Sequence, residues 1–279
     1  MFKVGKNDKV ILYHSLNYIF PILLTKKIKK YKLIIEVEEI YSDVSEKRGK
    51  WKSLELRYMS YADGFICPSK VLLRTINNEN KPCILSYGSY ECKPVLVHQY
   101  NDGFIHCVYA GTFDPNKGGV FSAISACEYL DENYVMHIIG FGNNDSIANV
   151  KKQIQMMANK SKCKIVYDGL QLGDDYLKYI QKCEIGLSTQ NPEGQFNSSS
   201  FPSKIFSYLS NGLKVVSIYL PVVAETPIGK EIFYYKTNDR KSIAKAIKDA
   251  SRLQKDSRSL LIRIDSAFRK EFVEYLSTV

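Results

Sequence analysis

The sequence predicts an α/β protein built from two parallel-sheet units in series. Three observations predict it. Short apolar runs rich in β-branched residues alternate with stretches of helical periodicity along nearly the whole chain, a rhythm that belongs to parallel sheets with helices on their faces. The rhythm breaks once, over a polar, turn-rich stretch at 87–103 that holds Pro94, and then restarts. The chain has 279 residues, 45% hydrophobic and 24% charged, which suits one large or two modest globular domains and excludes a disordered chain.

In the first unit, residues 10–13 form a short β-forming run, 19–30 read as helix and 32–40 as strand. Residues 54–61 are helical and 62–67 extended. A helix opened by Pro68 and Ser69 covers 68–76, and a last strand covers 83–86. In the second unit the strands are 105–110, 135–139, 164–167, 185–188 and 214–217. The helices are 119–129, 146–158, 174–182, 203–210, 241–252 and a terminal 260–276. The expected domains are 1–100, with the linker at its end, and 101–279, with the terminal helix packing back on the first domain. The first is short for a doubly wound domain and lacks a Gly-rich strand–turn–helix at its start.

Thirty-nine Lys and Arg against 29 Asp and Glu leave a net charge of +10, which favours anionic partners. No recognised nucleic-acid module or RNP-like aromatic pattern is present, so nucleic acid ranks last among them. Seven cysteines, an odd number without C-x-x-C spacing, read as reduced, buried thiols of a cytoplasmic protein. They do not cluster with the four histidines, so no metal is expected. The apolar run at 10–24 contains His14, Asn17 and Pro21 and ends in Thr25-Lys26-Lys27, which is not a leader pattern. No run is long enough to span a bilayer. Residues 25–32 carry five lysines with Ile28 and Tyr31 between them. Such a run is either a contact with an anionic membrane surface or a solvated helix end.

Two stretches carry the strongest chemical signal. In 108–119 a strand ends at Gly111, a turn holds Asp114 and Pro115, and a helix opens at Gly118 or Gly119 with Lys117 beside it. In 201–212 Pro202 suits a first helical turn and Gly212 a helix end, placing Ser203 and Lys204 at a helix start. Both fall at the C-terminal ends of strands, where open α/β sheets bind ligands. Two helix N-termini with a lysine each provide oriented N–H donors plus charge, as a diphosphate requires. The alternative for each alone is a solvated lysine at a helix start. Ile139-Gly-Phe-Gly142 ends another strand in a glycine pair and is not a dinucleotide fingerprint. His14 follows the first strand. Glu36 and Glu38 alternate along the second and are expected to share one face, either orienting acceptor hydroxyls or lying on a solvated edge.

These segments carry a resemblance. Ala110-Gly-Thr-Phe-Asp-Pro-Asn-Lys-Gly118, Ile138-Ile-Gly-Phe-Gly142, Tyr167-Asp-Gly169 and, most specifically, Phe201-Pro-Ser-Lys-Ile-Phe-Ser-Tyr-Leu-Ser-Asn-Gly212 resemble glycosyltransferase family 4, in the variant of bacterial surface-polysaccharide synthesis. His14, Glu36-Val-Glu-Glu-Ile-Tyr41, Ala62-Asp-Gly-Phe-Ile-Cys-Pro-Ser69 and Tyr87-Gly88 match more loosely. The resemblance implies the GT-B fold, two Rossmann-like domains facing a cleft, here with an incomplete N-terminal one. It implies a retaining, metal-independent transfer from a nucleotide-diphosphate-sugar to a glycan or lipid-linked glycan, at the inner face of the cytoplasmic membrane.

By that resemblance His14, Lys117 and Lys204 are catalytic. Gly111, Thr112, Gly118, Gly140, Gly142, Asp168, Gly169, Ser203 and Ser207 bind donor, and Glu36 and Glu38 lie on the acceptor side. The sequence departs from the family at Thr112, where a basic residue is usual, and at Ser199 and Ser207, where two glutamates are usual. Glu193 is out of register with both. The short first unit implies either a fragment or degenerate remnant, or a second chain that completes it. The alternative reading is a transferase-like subunit that binds nucleotide-sugar or a partner transferase without turnover.

Overall fold

The computed structural model describes residues 3–44, 51–77, 79–115, 118–191 and 201–279. They form two compact units. The first holds the described residues up to 89 with Phe201 and 266–279; the second holds 90–191 and 202–265.

The first unit is a four-stranded parallel sheet in the order β1-β2-β3-β4: β1 (Lys9–Tyr13), β2 (Lys32–Glu36), β3 (Gly64–Cys67) and β4 (Cys83–Leu85). α1 (Ile19–Lys29), α2 (Tyr41–Val44), α3 (Lys52–Met59) and α4 (Lys70–Ile76) connect them. Successive strand residues point to opposite faces, and at the central strands β2 and β3 both faces are buried, as in parallel sheets generally. Leu33, Ile35, Phe65 and Cys67 face one layer and pack on Ile19, Ile22, Tyr58, Met59, Leu72 and Ile76. Ile34, Ile66 and Ile84 face the other and meet Phe268, Phe272 and Tyr275. These aromatics come from the last turns of α11 (Ser257–Thr278). The approach is close at Gly64, where a Cβ would stand 2.5 Å from the Tyr275 hydroxyl.

The second unit is a six-stranded parallel sheet. Its strands are β5 (Ile105–Thr112), β6 (Tyr134–Phe141), β7 (Lys164–Gly169), β8 (Ile185–Ser188), β9 (Lys214–Ile218) and β10 (Phe233–Tyr235). Its helices are α5 (Gly119–Ala126), α6 (Asn144–Ala158), α7 (Gly173–Gln181), α8 (Ser203–Ser210), α9 (Pro221–Ala224) and α10 (Arg240–Arg252). The spatial order is β7-β6-β5-β8-β9-β10. Chain order therefore reverses between β5 and β8, the switch point where doubly wound sheets open a crevice.

Several expectations need correction. β2 stops at Glu36, so Glu36 and Glu38 do not share a strand face. The chain must turn there because α2 starts at Tyr41, with the Tyr41 and Ser42 amides held by the Glu55 carboxylate. The polar stretch at 90–103 is not a free tether. Tyr90 is buried edge-on against Phe206, Lys93 N–H donates to the Ser210 carbonyl at 2.9 Å, and the Gln181 side chain bonds Pro94 and Leu96. Those partners lie 80 or more residues away, which local composition does not reveal. Cys83 is exposed and Cys92 half-buried, whereas the other five cysteines are buried; all seven thiols are free. α9 and the three-residue edge strand β10 are too short for periodicity to find. No helix among the described residues is long and apolar enough to cross a membrane.

Candidate functional site

At the switch point, β5 and β8 pair only at Cys107–Ile185 and Val108–Gly186 and then part. Tyr208 of α8 fills the gap. Its ring lies on Gly186, where any Cβ would collide with it. Its hydroxyl accepts from Ala110 N–H at 2.9 Å and donates to the Leu187 carbonyl at 3.3 Å. These are the backbone groups that parting strands leave unpaired.

Beyond this wedge the floor of the site is backbone. Gly140, at φ +145, packs so closely on Gly111 that a Cβ would overlap the Gly111 carbonyl. A Cβ on Gly111 would in turn displace the Lys204 amine. Lys204 lies in the first turn of α8. Its amine donates to the Tyr109 hydroxyl at 2.9 Å and stands 4.0 Å from that ring's centroid. Tyr109 is buried, which holds its phenol well above the ordinary value, and its hydroxyl donates to the Thr112 carbonyl at 3.2 Å.

α5 opens at Gly118, whose φ of +64 suits glycine. The start of α5 is pinned by Thr189 at the end of β8, whose hydroxyl donates to the Gly119 carbonyl at 2.7 Å. A Cβ on Gly119 would lie 3.0 Å from both the Thr189 carbonyl and the Tyr109 hydroxyl. Gly142 allows Phe113 and Ser146 to close in after β6. Gly111, Thr112, Gly118, Gly140, Gly142, Ser203 and Lys204 thus gather at one sheet edge, with two helix N-termini and an ammonium group. Lys117, Ser199 and Glu193 lie outside the described residues. Ser207 is one turn further along α8, and its hydroxyl is paired with Tyr176 at 2.9 Å.

Asp168 and Gly169 lie at the end of β7, where the register to β6 slips: Ile138 pairs Tyr167 and Ile139 pairs Gly169. The bulge turns Asp168 out of the ladder. Its carboxylate accepts from the Tyr179 hydroxyl. Tyr179 is 2.7 Å from His137 Nδ1, His137 Nε2 is 2.8 Å from His106 Nδ1, and His106 Nε2 is 3.1 Å from Asp102. Carboxylates end this chain of four hydrogen bonds on both sides, and they only accept. The Tyr100 ring stacks on His106 with centroids 4.1 Å apart. Burial, then the neighbouring His106, hold His137 down at about 4.

In the first unit His14 is 1% exposed. Its Nε2 donates to Glu55 at 2.7 Å, and its ring stacks between Tyr41 and Tyr58. Its Nδ1 has no partner. Burial alone would raise Glu55; bonds from His14, Ser42 and Tyr41 outweigh it and hold the carboxyl below its usual value. Glu36 is half-buried and raised by burial and then by Glu38. Glu38 accepts from the Tyr13 hydroxyl at 2.9 Å. Among the described residues no group of three or more His, Cys, Asp or Glu side chains converges to hold a metal ion.

Sequence reasoning missed Tyr109, Tyr208, Thr189 and Glu55. A signal existed for one of them: a lone glycine inside a strand, such as Gly186, marks a close approach. A buried glutamate paired across 41 residues to His14 leaves no local trace.

No protein-family model matches the chain, and no curated protein matches it. Solved structures do. A glycosyltransferase from Rickettsia africae aligns with a TM-score of 0.68 at 13% identity, over 97% of this chain and 76% of that one. HepE from Anabaena, solved in complex with UDP, aligns at 0.63 and 15% identity, over 96% and 79%. An α,α-trehalose-phosphate synthase (UDP-forming) from Burkholderia xenovorans, in complex with glucose-6-phosphate, aligns at 0.62 and 12%, over 98% and 75%. Likeness at such identities establishes architecture: the chain has the α/β fold of GT-B glycosyltransferases, with two parallel sheets.

Proposed function

We propose that the chain is a glycosyltransferase that moves a sugar from a nucleotide-diphosphate-sugar to a glycan or lipid-linked glycan of a cell-surface polysaccharide, with retention at the anomeric carbon. The observation that carries the reading is the convergence of Gly111, the α5 N-terminus and Lys204 at the switch point of the six-stranded sheet. A diphosphate there meets unpaired N–H groups, two positive dipole ends and a full charge. As the sugar bond breaks, negative charge grows on the leaving diphosphate, and donors already oriented toward it stabilise the transition state more than the ground state. Lys204, with Lys117, carries that charge stabilisation without a metal. Backbone at Gly118 and Ser203 adds to it, and Gly140 and Gly142 let the donor approach the backbone. By the resemblance His14 acts on the sugar, with Glu55 fixing its ring.

UDP-bound and UDP-forming neighbours support a nucleoside diphosphate as the ligand to try first. Calorimetry with UDP, GDP, ADP and CMP, followed by turnover assays with the matching sugar donors, tests the reading. Binding of one diphosphate and sugar transfer support it, and a folded chain that binds none overturns it. One observation favours the second reading, a nucleotide-sugar-binding subunit without turnover: Ser207 offers a hydroxyl already paired with Tyr176 where the resembling family has a carboxylate. Tight binding without transfer or donor hydrolysis would select it.

A further inference from the structure

α1 buries one face and leaves an apolar face bare. Ile19 and Ile22 point into the core, whereas Phe20, Leu24 and Ile28 are 71%, 61% and 66% exposed. They recur every four residues and so form one ridge along the helix. Scattered exposed apolar residues need no explanation; a contiguous ridge does. The charge around it has one sign. No Asp or Glu occurs between Asp8 and Glu36, while Lys26, Lys27, Lys29, Lys30 and Lys32 all do. The structure divides these lysines. Lys26 is held by Asp63 and by the Tyr61 carbonyl, and Lys32 stands 3.7 Å from Asp63. Lys27, Lys29 and Lys30 are exposed at the end of the ridge.

Phe20 also lines an apolar groove of about 510 Å³ with Leu16, Ile19, Tyr41, Trp51 and Leu54. Trp51, the chain's one tryptophan, is half exposed there. Phe20 and Trp51 therefore share one side of the unit, and Tyr18 is exposed just before α1. Tryptophan and tyrosine settle at the headgroup level of bilayers, and lysines meet anionic headgroups while apolar side chains enter the acyl region.

We propose that the first unit docks on an anionic lipid bilayer through α1, with Phe20, Leu24 and Ile28 inserted and Lys27, Lys29 and Lys30 on the headgroups. The lysine run by itself would bind any polyanion; the apolar ridge beside it selects a membrane. The proposal stands on the surface of the first unit alone, so failure to bind nucleotide leaves it intact.

The full chain is mixed with vesicles of phosphatidylcholine alone or with one third phosphatidylglycerol. Co-sedimentation and Trp51 emission are read together. The expected result is sedimentation and a blue shift with the anionic vesicles only, weakened by salt. The triple variant F20S/L24S/I28S, checked for an unchanged melting temperature, should bind about tenfold or more weakly, as should K27Q/K29Q/K30Q. Absence of wild-type binding would overturn the proposal. So would serine variants that bind as well as wild type. Self-association in sedimentation velocity that disappears in the serine variant would assign the ridge to a second copy of the chain instead.

Discussion

At the edge of the six-stranded sheet the floor is backbone. Gly111 and Gly140 touch without side chains between them, helix starts face the opening, and the Lys204 amine stands on Tyr109. At the same edge of the four-stranded sheet, just after β1, side chains fill the space. His14 and Glu55 are buried, hydrogen-bonded and flanked by Tyr41 and Tyr58. The first edge is suited to a ligand that brings its own negative charge, because helix N-termini present the positive ends of their dipoles there. The second has already satisfied its charge internally and keeps a single nitrogen, His14 Nδ1, in reserve. One edge is therefore sensitive to added bulk and the other to removed partners.

The largest effect expected from that contrast is at Glu55. Glu55→Ala leaves His14 Nε2 and the Tyr41 and Ser42 amides without their acceptor. Truncating one partner of such a buried network should cost about 4 kcal/mol in urea denaturation. Glu55→Gln, which keeps an acceptor oxygen, should cost less. Nucleotide affinity should change little in either variant that remains folded.

The relay in the second unit sets a pH dependence. His137 stays neutral in the fold down to about pH 4, while its unfolded value is 6.5. Above pH 6.5 both states are neutral at this residue and it contributes nothing. Below that, the unfolded state binds the additional proton, so stability falls as pH drops from 6.5 to 4, by about 3 kcal/mol in all. Urea midpoints at pH 7 and 4.5 check this. His137→Gln, which has no such proton to bind, should show a flatter profile.

Added bulk is the reciprocal test. Gly140→Ala pushes a methyl group into the Gly111 carbonyl and should cost about 3 kcal/mol along with nucleotide binding. Gly169→Ala meets nothing within 4 Å. It should cost only about 1 kcal/mol, for its φ of +67. Equal costs at the two positions would contradict the close-packed floor. The smallest effect is in α1, which ends on Lys30 in the left-handed region at φ 58. Lys30→Gly should raise stability by about 1 kcal/mol.

The alternation of strands and helices was legible because each core strand is an apolar run and each long helix has a periodic face. The glycine-rich edge was legible for the same kind of reason: Gly111, Gly118 and Gly140 are required by local backbone and close approach. What lay beyond local pattern was cross-chain pairing. The register slip that turns Asp168 toward Tyr179 and His137 leaves no signal in Tyr167-Asp168-Gly169. The same holds for His106 and His137, neighbours on paired strands 31 residues apart. The lysine run was visible, but only the fold shows that Asp63 holds Lys26 and that Phe20, Leu24 and Ile28 stand exposed beside the free lysines.

The most direct test of the account is the affinity of the full chain for nucleoside diphosphates before and after Lys204→Ala. The account predicts that one diphosphate binds the wild type and that the variant, with an unchanged melting temperature, binds about tenfold to a hundredfold more weakly, the loss expected for a charge-assisted contact. Wild-type affinity in the variant, or no diphosphate bound by a folded wild-type chain, would contradict it.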